Sequence, residues 1–237
     1  MTYPFLFLCL LLWIPAAIVF ALRADLRRPM GIVAFCAVPF AFTEFLFYPT
    51  YWEPRFLFDL VHKIGFGIED ILFVTGLGAM TSVAYPTVFN KRLITHHQQS
   101  SSVIHRALAV TGAALILTGI VALAGVPMIW GCVPIMGLMA GVMVWIRRDL
   151  AGAVLWGSLL NAVAYYAICL FLAAAVPDVF ELNWHAEQFS NIYLTGVPIE
   201  EIAYAAGAGA VASVFYPFIF SMAYRTRKVK VAGYTPK

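Results

Sequence analysis

Charge is what this sequence has least of. Only 11% of its 237 residues are charged, against about a quarter in a soluble domain, while 62% are hydrophobic and the mean hydropathy is +0.87. That shortage excludes a disordered chain, a basic nucleic-acid binder and an ordinary cytosolic enzyme. Cysteine is scarce too. Cys9, Cys36, Cys132 and Cys169 stand singly in apolar stretches, without paired spacing, and read as small packing residues. Five histidines, three in one inner loop (His96, His97, His105) and two outside (His62, His185), cannot supply the histidine boxes of a di-iron oxygenase. No H-E-x-x-H occurs, and no metal is expected. No lysine falls in a long apolar run, which removes a retinal Schiff base. Gly76-x-Gly78 and Gly207-x-Gly209 follow no strand and lack a third glycine, so they read as close helix packing rather than a nucleotide fingerprint. No cofactor is expected.

What is present is apolar length. A helix needs about 20 mostly apolar residues to cross a bilayer, and seven stretches qualify: 3–21, 30–47, 68–89, 107–123, 127–146, 151–176 and 198–223. The expected fold is therefore an all-α polytopic membrane protein with seven transmembrane helices. The first stretch has no basic flank or clear cleavage site and reads as a helix rather than a signal peptide. Ala124-Gly125-Val126, closed by Pro127, makes the fourth and fifth helices a hairpin. Thirteen of the 15 Lys and Arg fall on alternate connections, leaving only Arg55 and Lys63 on the others. The positive-inside rule then sets the N-terminus outside and the C-terminus in the cytoplasm.

The chain also repeats itself. At an offset of 131, twelve of 25 positions are identical between 65–89 and 196–220, including Gly65, Glu69, Gly76, Gly78, Tyr85 and Pro86 with their counterparts. An Arg-x-Asp-Leu recurs at 23–26 and 147–150, each after the first helix of its unit. The reading is two three-helix repeats joined by a linking helix: a first repeat over 1–92, the loop and linker over 93–126, a second repeat over 127–225 and a basic tail over 226–237. A single linking helix leaves the repeats parallel, so both acidic pairs begin their helices at the outer face.

Those pairs, Glu69-Asp70 and Glu200-Glu201, are the main candidate site. One acid in a helix's first turn is explained by the macrodipole, worth about 0.3–1 kcal/mol. Two consecutive acids in both repeats are not, because ionisable groups at membrane depth are costly. Adjacent carboxylates in low dielectric do not both ionise easily, so such a pair holds both an acid and a base. Phe73 and Tyr204, four residues after each first Glu, share its helix face and offer a ring to a developing cation, with core packing as the alternative. Phe66, Tyr193, Trp52 and Trp184 are weaker candidates, and interfacial anchoring is the default for the last three.

Together these features resemble the membrane lycopene cyclases of the heterodimeric or fused type, whose two related domains each carry Pro-x-Glu-Glu. Pro198-Ile199-Glu200-Glu201 keeps the motif, and Gly67-Ile68-Glu69-Asp70 departs from it. The resemblance implies a catalyst that closes the acyclic ends of lycopene into rings without net redox change. Glu200, Glu201, Glu69 and Asp70 would be its catalytic acids, with Phe73 and Tyr204 against the cation. The family often has a further acid in the preceding span, a place Glu44 takes in the first repeat. In the second repeat Asn161 is the nearest polar residue. Glu200-Glu201 is then the main acid site and Glu69-Asp70 a supporting one. The implied partners are an apolar polyene from the bilayer, membrane lipids and other carotenoid enzymes, with no nucleic acid, and the implied location is the cell inner membrane. A proton-linked transporter and a non-catalytic assembly protein are the alternatives.

Overall fold

The computed structural model describes residues 2–96 and 102–227. His97 and most of the basic tail lie outside them. Among the described residues nine α-helices run α1 (Pro4–Leu22), α2 (Arg27–Ala41), α3 (Leu60–Ile64), α4 (Ile68–Val88), α5 (Val103–Leu123), α6 (Met128–Ile146), α7 (Ala151–Ala175), α8 (Val179–Asn183) and α9 (Ile199–Ile219). Among the described residues six of these are long and apolar enough to cross a membrane: α1, α4, α5, α6, α7 and α9.

The expected span over 30–47 is not one helix of that length. α2 has 15 residues, starts on Arg27 and Arg28, and gives way after Ala41 to a 3-10 turn, Glu44–Leu46. The cause is local. Pro39 withholds an N–H from the last turn, and the Thr43 hydroxyl donates to the Phe40 carbonyl at 2.7 Å. The shortened helix lies tightly along α4, where a Cβ on Gly78 would stand only 3.4 Å from that of Ala37. His105, expected in a loop, stands in the first turn of α5.

α4 and α9 form the centre of the bundle, with 50% and 67% of their apolar windows buried, against 11% for α5. They run side by side in the same direction. Phe73 stacks with Tyr204 near their starts, and the Ser213 hydroxyl donates to the Thr81 carbonyl nearer their ends. Small residues permit the close approach, as the glycine pairs imply: a Cβ on Gly209 would stand 2.6 Å from the Gly157 carbonyl oxygen of α7. Asn161 is fully buried at this α7–α9 contact, donating to the Gly157 carbonyl at 2.6 Å.

Among the described residues two short sheets accompany the helices. β1 (Lys91–Thr95) and β4 (Met222–Thr226) pair antiparallel beyond the ends of α4 and α9, Lys91 opposite Thr226, and β2 (Tyr193–Leu194) pairs with β3 (Val197–Pro198) ahead of α9. Their sequences are too short to carry a strand signal against the helical background. The first of these sheets gives the Arg-x-Asp motif its role. Arg23 forks onto Asp25 at 2.9 Å and donates to the Lys91 carbonyl, while Arg147 forks onto Asp149 at 2.8 Å and donates to the Met222 carbonyl. Each guanidinium thus ties the end of a unit's first helix to the strand after its acidic helix. The Arg23 guanidinium also holds the Asp25 carboxyl below its usual pKa.

Overpacking a close contact typically costs about 1–3 kcal/mol. Gly209→Val is therefore expected to lower the melting temperature in detergent sharply. Gly137→Ala, with no atom within 4 Å of the added Cβ, should leave it unchanged or raised.

Candidate active site

Both acidic helices are entered in the same way. Gly65 and Gly196 turn the chain with φ of 84° and 81°, the left-handed region that glycine adopts without strain, shortly before Ile68 and Ile199 start their helices. The first acid of each pair then turns toward the preceding loop. Glu69 accepts from the Leu57 N–H at 2.6 Å, and Glu200 from the Ser190 N–H at 3.0 Å. Both are buried, and in each the second carboxyl oxygen has no partner among the described residues. These two acids anchor loops and do not line the cavity described below.

The second acid of each pair faces inward. Asp70 accepts from the Gly67 N–H at 2.6 Å, closing the first turn of α4, and its carboxyl lines the same cavity as that of Glu44. Glu44 accepts from the Trp52 indole at 2.6 Å. Two buried carboxyls at one cavity do not both ionise easily, so this pair favours holding a proton. Glu201 is held differently. One oxygen accepts from the Tyr51 hydroxyl at 2.9 Å and the Trp184 indole at 3.0 Å, and the other accepts from the Tyr165 hydroxyl at 2.7 Å. Burial, with Glu201 alongside, pushes the Tyr51 phenol far above its ordinary pKa, which keeps it a proton donor to that carboxyl.

Glu44, Asp70 and Glu201 meet at one end of a cavity of about 230 Å³ bounded by α2, α4, α5, α6 and α9. Phe73 and Tyr204 line it one turn deeper, their ring centroids 6.2 Å apart. Of the seven main candidates, Glu44, Asp70, Phe73, Glu201 and Tyr204 come together here, and Glu69 and Glu200 do not. Phe66 packs instead against Phe42, and Tyr193 sits on β2. Trp52 and Trp184 are not interfacial anchors. Both are buried, pair with one another across an antiparallel bridge, and spend their indole N–H groups on carboxyl groups. Tyr51 and Tyr165 are not legible in the sequence, because a lone tyrosine in an aromatic-rich chain carries no signal. The position of Tyr51 next to Trp52 was the only available hint.

The fold and site define a polytopic helical membrane protein with a buried cluster of carboxyls and aromatic rings opening on an apolar cavity. Residues 127–219 match the family model for lycopene cyclase. That segment contains α6, α7 and α9, hence Tyr165, Trp184, Glu200, Glu201 and Tyr204. No curated protein and no solved structure matched the chain.

A hydrogen bond to a charged group contributes about 1.5–3 kcal/mol. Trp184→Phe and Tyr165→Phe should each destabilise the protein by that order in thermal unfolding. Tyr193→Phe, away from the cluster, should leave the transition where it is.

Proposed function

We propose that the protein closes the acyclic ends of a lycopene-type carotenoid into rings by acid–base chemistry, with no net redox change. In this reading the Glu44–Asp70 pair is the acid. Its proton goes to C2 of the terminal C1=C2 double bond, leaving a tertiary cation at C1. The π electrons of C5=C6 then form the C1–C6 bond, and the positive charge moves to C5. Glu201 takes a proton from the ring cation, from C6 for a β-ring, and the electrons of that C–H bond become the new C5=C6 double bond. One proton enters and one leaves, so the product is an isomer of the substrate.

The observation that carries the reading is the contrast between the two carboxyl environments at one cavity end. The neighbouring Glu44 and Asp70 carboxyls favour holding a proton between them, whereas Glu201 receives three donors, and donors favour the charged form. Phe73 and Tyr204 stand beside them as faces for the cation. The apolar walls keep out water that would trap it. Glu69 and Glu200 support the reaction from the loops they hold. α4 and α9 run unbroken past the site, which favours an enclosed reaction chamber over a transport path. An inner-membrane location with the N-terminus outside, and association with other carotenoid enzymes, belong to the same reading.

Expression in a lycopene-accumulating host, with pigments separated by chromatography, tests it. Ring-bearing products are expected from the wild type. Losing general acid or base catalysis costs about 10²–10⁴-fold, and Asp70→Asn and Glu201→Gln should lower ring formation by that order. Glu200→Gln should retain more activity than Glu201→Gln. Unchanged lycopene despite good membrane expression would refute the assignment. A reporter fused to the C-terminus should be active on the cytoplasmic side, and activity outside would reverse the orientation.

A further inference from the structure

The acids occupy one end of the cavity only. Beyond Phe73 and Tyr204 the walls pass through Leu77, Gly78 and Ala208 and finish at Ala212 and Phe215 on α9. Thr81, also on this inner part, spends its hydroxyl on the Leu77 carbonyl of its own helix at 2.7 Å. The lining of α9 from Glu201 to Phe215 covers roughly 21 Å at 1.5 Å per residue. An extended C40 polyene, with a main chain of about 32 carbons, measures roughly 37 Å at ~1.2 Å per bond. With a terminal isoprene at the carboxyls, little more than half the molecule fits.

The remainder needs a way out, and α5 offers it. No residue of α5 is buried, and the helix leans on α6 through their hairpin while touching α2 only lightly. Val33 and Phe40 of α2 and Val110 and Ala114 of α5 form the two sides of this seam in the cavity wall. A polyene tail leaving there passes directly among lipid chains.

Resting on the cyclase reading above, we propose that the cavity admits one end of the polyene per binding event, the far half emerging between α2 and α5. The two units of the chain then build a single site, and a two-ring product arises only by release and re-entry with the other end first.

Membranes containing the full-length protein, given radiolabelled lycopene with a tenfold excess of unlabelled monocyclic carotene, distinguish the outcomes. Labelled monocyclic product should appear first, and label in any two-ring product should fall about tenfold. Labelled two-ring product formed from the earliest times, undiluted by the competitor, would overturn the proposal while leaving the cyclase reading intact. Absence of any labelled ring would overturn both. Ala212→Trp, which fills the inner end away from the acids, should raise the KM for lycopene several-fold with a smaller change in kcat. An unchanged KM in a folded variant would show that the tail does not lie there.

Discussion

Burying a carboxylate in an apolar bundle costs several kcal/mol unless hydrogen bonds replace the water it gives up. Glu201 meets that cost with three donors brought from three places: Tyr51 in the loop between α2 and α3, Tyr165 in α7, and Trp184 in the loop between α8 and α9. Much of this end of the molecule follows from that requirement. Tyr51 reaches Glu201 only if the first of these loops crosses to the second. The antiparallel bridge between Trp52 and Trp184 holds that crossing, and the bond from Trp52 to Glu44 connects it to the other acids.

The two acidic pairs divide their work in the same manner. The first acid of each holds a loop by a backbone N–H, and the second enters the cavity. Within that common plan the units differ in what surrounds the inward acid. Asp70 has a carboxyl neighbour in Glu44, whereas Glu201 has only hydroxyl and indole donors. One position therefore favours holding a proton and the other favours accepting one. In the proposed reaction, two segments of related sequence would supply the acid and the base because their neighbourhoods differ.

Much of this was legible in the sequence. The offset of 131 that relates the acidic pairs also relates Gly65 to Gly196, both at positive φ, and β1 to β4. Ile68 and Ile199 begin their helices where the acidic patterns do, and the small residues beside them permit the close packing that their spacing implies. Periodicity could not show which acid of a pair turns inward, since consecutive helical residues point about 100° apart and either can face the core. Nor could it reveal the donors to Glu201, since these are set by loops whose paths depend on tertiary contacts. The second helix ends before its hydropathy does, because hydropathy does not register Pro39 and Thr43 ending a helix.

The central claim is a division of labour: a proton resides on the Glu44–Asp70 pair while Glu201 is a carboxylate. Infrared difference spectroscopy of the purified protein at neutral pH tests this directly. Asp70→Asn should remove or shift a protonated-carboxyl carbonyl band, and Glu201→Gln should remove carboxylate intensity without touching that band. The reverse pattern, with the protonated band lost in Glu201→Gln and retained in Asp70→Asn, would contradict the account.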